Sequence, residues 1–112
     1  MNDKISLMDF QKLNLKIGKI INVEDHPNAD KLFVLKVDLG EDEERTIVAG
    51  LRGYYEKEEL IGKKAVFVVN LEPVMLRGIE SNGMIMAAVS EDRIKVAILT
   101  PEKDVAVGTK IS

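Results

Sequence analysis

LKIGKIINVEDHPNADKLFVLKVDLG, residues 15–40, is the stretch that decides the fold. In its first part Leu15, Ile17, Lys19, Ile21 and Val23 alternate with Lys16, Gly18, Ile20, Asn22 and Glu24, the period of two that a strand imposes on its faces. Gly18 inside this run predicts a bulge or a sharp bend. HPNAD is a turn by chemistry: Pro27 fixes its own φ, and Asn28 and Asp30 can bond back to nearby main-chain amides. KLFVLKVDL then reads as a second strand, GEDEE as a hairpin loop and RTIVAG as a third strand.

On the N-terminal side, SLMDFQKL (Ser6 to Leu13) reads as a short helix. Ser6 can cap free amides, Asp9 lies in the first turn, and Leu7, Phe10 and Leu13 form one stripe expected to cover an end of the core. On the C-terminal side, YYEKEELIGK predicts a second short helix stopped by Gly62, and KAVFVVN predicts a strong strand. NLEPVMLRGIESNG reads as a long turn-rich segment, and MIMAAVS with RIKVAILT as a last hairpin around EDR. About six short strands with a helix after the third predict an all-β chain with short helices. The architecture expected is a five-stranded Greek-key barrel of the OB type with a C-terminal strand extension. An SH3-like barrel or a small sandwich would give similar spacing. The expected organisation is a single domain over 1–112: an N-terminal helix within 1–13, a barrel core over 14–89 and an extension over 90–112.

The bulk numbers suit one core: 112 residues, 46% hydrophobic and 31% charged. Cysteine is absent, which removes disulfides, thiolate metal sites and thiol nucleophiles together. No long apolar run predicts a membrane span, and MNDKISLMDF lacks a basic region followed by an apolar core, so a cytoplasmic location is expected. The formal net charge of −3 leaves only a local patch to attract a polyanion. Lys12, Lys16 and Lys19 lie close together, whereas EDEE (Glu41 to Glu44) and EKEE (Glu56 to Glu59) concentrate negative charge.

Catalytic chemistry has little to work with. His26 is the only histidine and reads as a turn imidazole packed against its neighbours, since a structural zinc site wants about four nitrogen or sulfur ligands. EDEE lacks the alternating spacing and central glycine of a calcium loop. There is no GxxxxGK[ST] loop and no GxSxG elbow. No cofactor or metal is expected, and an enzyme is the weakest reading.

Binding remains. Phe33 and Phe67 sit mid-strand and read as core, so stacking along an extended single strand is not favoured, whereas folded RNA read through backbone and shape would ask less of the aromatics. In NLEPVMLRGIESNGM, Asn70, Arg77, Ser81 and Met84 offer an amide, a guanidinium, a hydroxyl and a thioether from one loop. Arg77 could fork onto a phosphate, Asn70 and Ser81 could bond base or sugar edges, and Met84 could press against a base.

DFQKLNLKIGKI, HPNADKLFVLKVDLG, ERTIVAGL, YYEKEELIGKK, NLEP, RGIESNGMIMAA and TPEKDVAVGTKI, in that order, carry a resemblance from Asp9 onward. The chain resembles the tRNA-binding domain found as the C-terminal domain or separate beta subunit of methionyl-tRNA synthetases and as free-standing tRNA-binding proteins. The resemblance implies an OB-fold core whose C-terminal elements make a homodimer, and binding to the outer corner of tRNA by shape. It implies no catalysis, and a possible catalytic-subunit partner in methionyl-tRNA synthetase. It places Asn70, Arg77, Ser81 and Met84 on an RNA-contacting segment, with Lys31 and Arg45 as phosphate contacts on neighbouring strands. Glu72 and Met75 stand where that pattern usually carries lysines, which should weaken phosphate binding. In this reading HPNAD turns the first strand into the second and sets Lys31 at the edge of a groove. An export-related chaperone family with the same dimeric barrel shares the DF…GxI and YY…EEL patterns and would bind polypeptides. A purely structural dimerisation module is a third reading, favoured by Glu72 and the acidic pI.

Overall fold

The computed structural model describes residues 3–112; Met1 and Asn2, the start of the expected N-terminal element, lie outside them. In chain order the elements are α1 (Leu7–Phe10), β1 (Leu15–Asp25), β2 (Phe33–Asp38), β3 (Arg45–Ala49), α2 (Lys57–Leu60), β4 (Lys64–Val68), β5 (Val74–Leu76), β6 (Ile79–Ser81), β7 (Met84–Ile85), β8 (Ala87–Val89), β9 (Val96–Ile98) and β10 (Lys110–Ile111). The main sheet runs β3-β2-β1-β4-β7 with every neighbour antiparallel, and β10 pairs with β1 beside Leu15 and Lys16, before β2 takes over that edge.

β1 is the long central strand, and its parity changes partway along. The register shifts between Ile20, opposite Val37, and Asn22, opposite Lys36, which leaves Ile21 as an extra residue. Gly18, Ile20 and Val23 therefore face the barrel interior while Ile21 is exposed. This corrects the simple alternation of Leu15, Ile17, Lys19, Ile21 and Val23. Leu15 and Ile17 are buried outside the main core, where Ile17 N donates to Thr109 O (2.9 Å) and Gly108 N donates to Ile17 O (2.7 Å). The bulge expected at Gly18 sits at Ile21 instead, and Gly18 has a packing reason. A Cβ there would lie 2.7 Å from Leu39 Cδ2, 2.8 Å from Val37 Cγ1 and 2.9 Å from Phe67 Cδ1.

The interior is filled by Ile20, Leu35, Val37, Leu39, Ile47, Leu60 and Phe67, all essentially without exposure, with Phe33 beside them. Burying a side chain of this kind contributes about 1.5–3 kcal/mol, so this layer carries the fold. α2, the second short helix the sequence predicts, covers one end of it with Leu60, and its start is a capping box in which Glu56 N donates to Glu59 Oε1 (2.7 Å). Gly62, at φ 87°, turns the chain out of the helix.

α1 is shorter than the Ser6 to Leu13 helix expected, although Ser6 does cap it, its Oγ accepting from Asp9 N at 3.0 Å. Nothing on α1 is buried, and Leu7, Phe10 and Leu13 are exposed rather than covering the core. One helical turn is too short to lay three residues onto the barrel, and α2 covers the other end, at Ile20 and Lys64.

β3 and β7 end the two sides of the sheet, so barrel closure depends on the seam between them. Two bonds cross toward it: Asn82 N donates to Thr46 O (2.8 Å) and Val48 N donates to Ser81 Oγ (2.9 Å). A side-chain hydroxyl thus takes the place of a ladder carbonyl. The result is an antiparallel sheet nearly closed into a five-stranded OB-like barrel. The segment read as one long turn contains the β5–β6 hairpin, and β8 pairs with β9 so that the expected 89/90 boundary falls within a hairpin.

Candidate functional site

The HPNAD turn is organised by its histidine. The His26 ring is buried, and its Nδ1 accepts from Asn28 N at 3.0 Å. That bond fixes the tautomer: the proton sits on Nε2, which donates to Leu76 O at 2.9 Å. His26 N donates to Leu32 O (3.1 Å) and closes the loop behind it. From the opposite direction, Arg77 Nε and Nη2 donate to Asn28 O at 3.3 and 3.1 Å. The imidazole and the guanidinium therefore latch the 26–32 turn to the β5–β6 hairpin from both sides.

Leu76 pairs with Ile79, which leaves Arg77 and Gly78 as a two-residue hairpin turn, both with positive φ (55° and 94°). This is the geometry of a type I′ turn, which favours Asn, Asp or Gly at both positions. An arginine there costs on the order of 1–2 kcal/mol of backbone strain. Arg77 is held for what its side chain does. Arg93, at φ 60°, is the other non-glycine residue with positive φ among those described.

The polar residues of the segment are already engaged. Ser81 is buried, its hydroxyl accepting from Val48 N and donating to Gly83 O (3.1 Å). Asn70 clips the chain entering β1: Oδ1 accepts from Asn14 N (2.8 Å) and Nδ2 donates to Lys12 O (2.7 Å). Arg45 forks onto Glu41 through Nε (2.9 Å) and Nη2 (2.8 Å), and its Nη1 donates to Val69 O. The hydrogen bond from Arg45 holds the Glu41 carboxyl below its usual range against the opposing effect of burial. This pair lies in an acidic concavity of about 880 Å³ that also takes in Asp42, Glu43, Glu44, Gly78, Glu80 and Asn82. Glu72 and Met75 are both exposed.

Lys31 and Met84 do meet. They line one groove of about 420 Å³ whose floor is Val48, Ala49, Gly50, Leu51, Ile85, Ala87, Val89 and Val96 and whose remaining lining is Tyr54 and Arg93. No carboxylate lines it. Lys31 is exposed on the latched turn, and Met84 presents its thioether at the start of β7, opposite Val68. Of the sequence-predicted residues, then, Lys31 and Met84 share a groove and Arg77 is tied to the turn bearing Lys31. Ser81 lies behind the groove wall, and Arg45 and Asn70 lie elsewhere. Tyr54 and Arg93 were not picked out from the sequence; a tyrosine next to a second tyrosine and an arginine in a hairpin tip were the available signals.

Among the described residues no cluster of three or more His, Cys, Asp or Glu could hold a metal ion. Among the described residues no helix is long and apolar enough to cross a membrane.

A family model described as "Putative tRNA binding domain" matches residues 15–110. The chain belongs to this tRNA-binding domain family. A methionine–tRNA ligase of Pyrococcus furiosus is 56% identical over 107 residues, 96% of this chain but 14% of the ligase, so the match is to a small part of that enzyme. Within the family's fold, a crystal structure of a MetRS-related protein from Pyrococcus horikoshii superposes with a TM-score of 0.91 at 39% identity, covering 99% of this chain and all (100%) of that one. The chaperone CsaA of Bacillus anthracis superposes with a TM-score of 0.87 at 32% identity, covering 98% and 100%. The tRNA-binding domain and the CsaA-type barrel are thus both its relatives.

Proposed function

We propose that this chain binds tRNA by backbone and shape at the groove lined by Lys31 and Met84, beside the turn that Arg77 holds. The observation that carries this reading is a carboxylate-free groove bearing Lys31 and Met84 on a chain of formal net charge −3. Lys31 supplies a mobile cation to a phosphate, and Met84 an apolar edge to a base or sugar. Arg77 keeps Nη1 free of the Asn28 carbonyl and so retains donors for a second phosphate. Ser81 serves the same surface from behind, its hydroxyl holding the Val48 amide of the groove.

The chain further acts as a tRNA-affinity module of methionyl-tRNA synthetase, appended or as a separate subunit, and this role in charging tRNA puts it in the cytoplasm. It works as a homodimer: Phe10 and Leu13 stand beside Ile111 of β10, and with Leu7 and Met8 they leave an apolar surface that a second copy would bury. Two linked sites on one tRNA raise avidity by about 10² to 10⁴ where geometry permits.

The test is retention of tRNA on a filter as salt is raised. Lys31→Glu should weaken binding and flatten the slope of log K against log salt by about 1–2. An unchanged slope removes Lys31 from the site, and no retention at low salt removes the reading.

The likeness to CsaA supports a second reading, in which the ligand is an unfolded polypeptide held on exposed Ile5, Leu7, Met8, Val74, Met75 and Ile94. Suppression of aggregation of a denatured test protein, unaffected by added tRNA, would favour it over the first.

A further inference from the structure

The groove has a second wall that the reading above does not use. It is the loop from Ser90 to Lys95, joining β8 to β9. Ser90 N donates to Lys95 O (3.0 Å), Lys95 N donates to Ser90 Oγ (3.0 Å), and Arg93 N donates to Ser90 O (2.9 Å). Asp92 turns its carboxylate into the loop, where it accepts from Ser90 Oγ (2.6 Å) and Ile94 N (3.0 Å). These bonds hold its carboxyl below the usual range, the Ser90 hydroxyl contributing most. The loop is then pinned across the groove, because Tyr54 Oη donates to Arg93 O at 2.8 Å.

Arg93 stands at φ 60°, where glycine or asparagine would be unstrained, and its side chain is exposed. Its carbonyl is the atom the tie requires, and any residue supplies a carbonyl. The guanidinium serves neither the turn nor the tie, and Arg93 lines the same groove as Lys31. Glu91 and Asp92 are its loop neighbours, and neither lines that groove.

We propose that Arg93 is an RNA-binding residue, and that the groove it shares with Lys31, Tyr54 and Met84 takes one unpaired nucleotide of the RNA. The two cations hold flanking phosphates, and the base lies on the apolar floor between the tyrosine ring and the thioether. A paired helix keeps its bases stacked and presents only its backbone, so this groove selects a bulged or looped nucleotide. This deepens the tRNA reading and rests on it.

Arg93→Gly tests the residue, with filter binding of tRNA and thermal melts run in parallel. Glycine suits the positive φ, so the melting temperature should hold or rise. Losing one phosphate contact should weaken binding about 5- to 8-fold at about 0.1 M salt and flatten the slope by about 0.7–0.9. Lys103→Gln removes the same charge from a different concavity and should leave the slope alone. An Arg93→Gly slope equal to wild type, with wild type still binding, overturns the role of Arg93 and leaves the tRNA reading standing. Failure of wild type to bind overturns both. The nucleotide pocket is tested with an RNA hairpin carrying one bulged 2-aminopurine against the fully paired hairpin. The bulged RNA should bind at least about 5-fold tighter, the low end of what one stacked base is worth. Equal affinity overturns the pocket.

Discussion

Ser81→Ala separates two accounts of one hydroxyl. The substitution removes the acceptor of Val48 N and the donor to Gly83 O at the seam between β3 and β7. Val48 is itself buried, so its amide is left without a partner and out of reach of water. Stranding such a group costs about 1–3 kcal/mol, and in a domain of this size each kcal/mol moves the melting point by about 4 °C. Tm should therefore fall by about 4–12 °C. The melt is followed by circular dichroism at one fixed protein concentration, because dimerisation would make Tm depend on it. Hydrogen exchange locates the effect: the Val48 amide should exchange faster while Leu35 and Val37, deep in β2, change only with global stability. At a temperature well below the transition, tRNA affinity should change little. A wild-type Tm and an unchanged Val48 amide, together with lost tRNA affinity, would refute the closure argument and put the hydroxyl on the ligand.

Gly18→Ala should destabilise by about 1–3 kcal/mol in urea unfolding, because a methyl group must displace Leu39, Val37 and Phe67; an unchanged midpoint would mean that the interior yields at no cost. His26→Leu removes the ring partner of the Asn28 amide and of the Leu76 carbonyl, two part-buried hydrogen bonds, and should cost about 1–3 kcal/mol in all. Faster exchange confined to the 26–32 turn and the β5–β6 hairpin is its signature. Glu41 has a folded pKa below its unfolded one, the Arg45 hydrogen bond being the main cause. Its stabilisation is therefore complete above the unfolded carboxyl value and is lost as pH falls through the folded value. Glu41→Gln should flatten the acid side of the stability profile and leave its shape at neutral pH unaltered; a parallel acid limb would remove the pair from the account.

What could be read in advance followed local chemistry. The short helix α2 and the glycine that ends it are written in consecutive residues, as are the HPNAD turn and the strands either side of it. The parity of β1 was not legible, because Ile20 and Ile21 are equally apolar and only the β2 register decides which is the extra one. The β5–β6 hairpin was hidden by its turn, since an arginine with positive φ carries none of the usual turn signal. In the site, Met84 was picked out by residue type and Lys31 by the family resemblance, and the two line one groove. Ser81, Asn70 and Arg45 have the chemistry of ligand groups, but beside the local bonds to Gly83 and Glu41 each also engages a main-chain atom 33, 56 and 24 positions away respectively, which no local pattern reveals. Tyr54 and Arg93 come to the groove from segments 39 positions apart, and only folding sets them side by side.

The acidic hairpin between β2 and β3 has a consequence for approach. Asp42, Glu43 and Glu44 crowd a concavity with Glu80, and the one guanidinium there is neutralised by Glu41. A polyanion drifting toward that flank meets repulsion within roughly 10 Å at 0.1 M salt. In the tRNA reading the hairpin disfavours approach from that flank, so that replacing its acids with amides should speed encounter while loosening the choice of orientation.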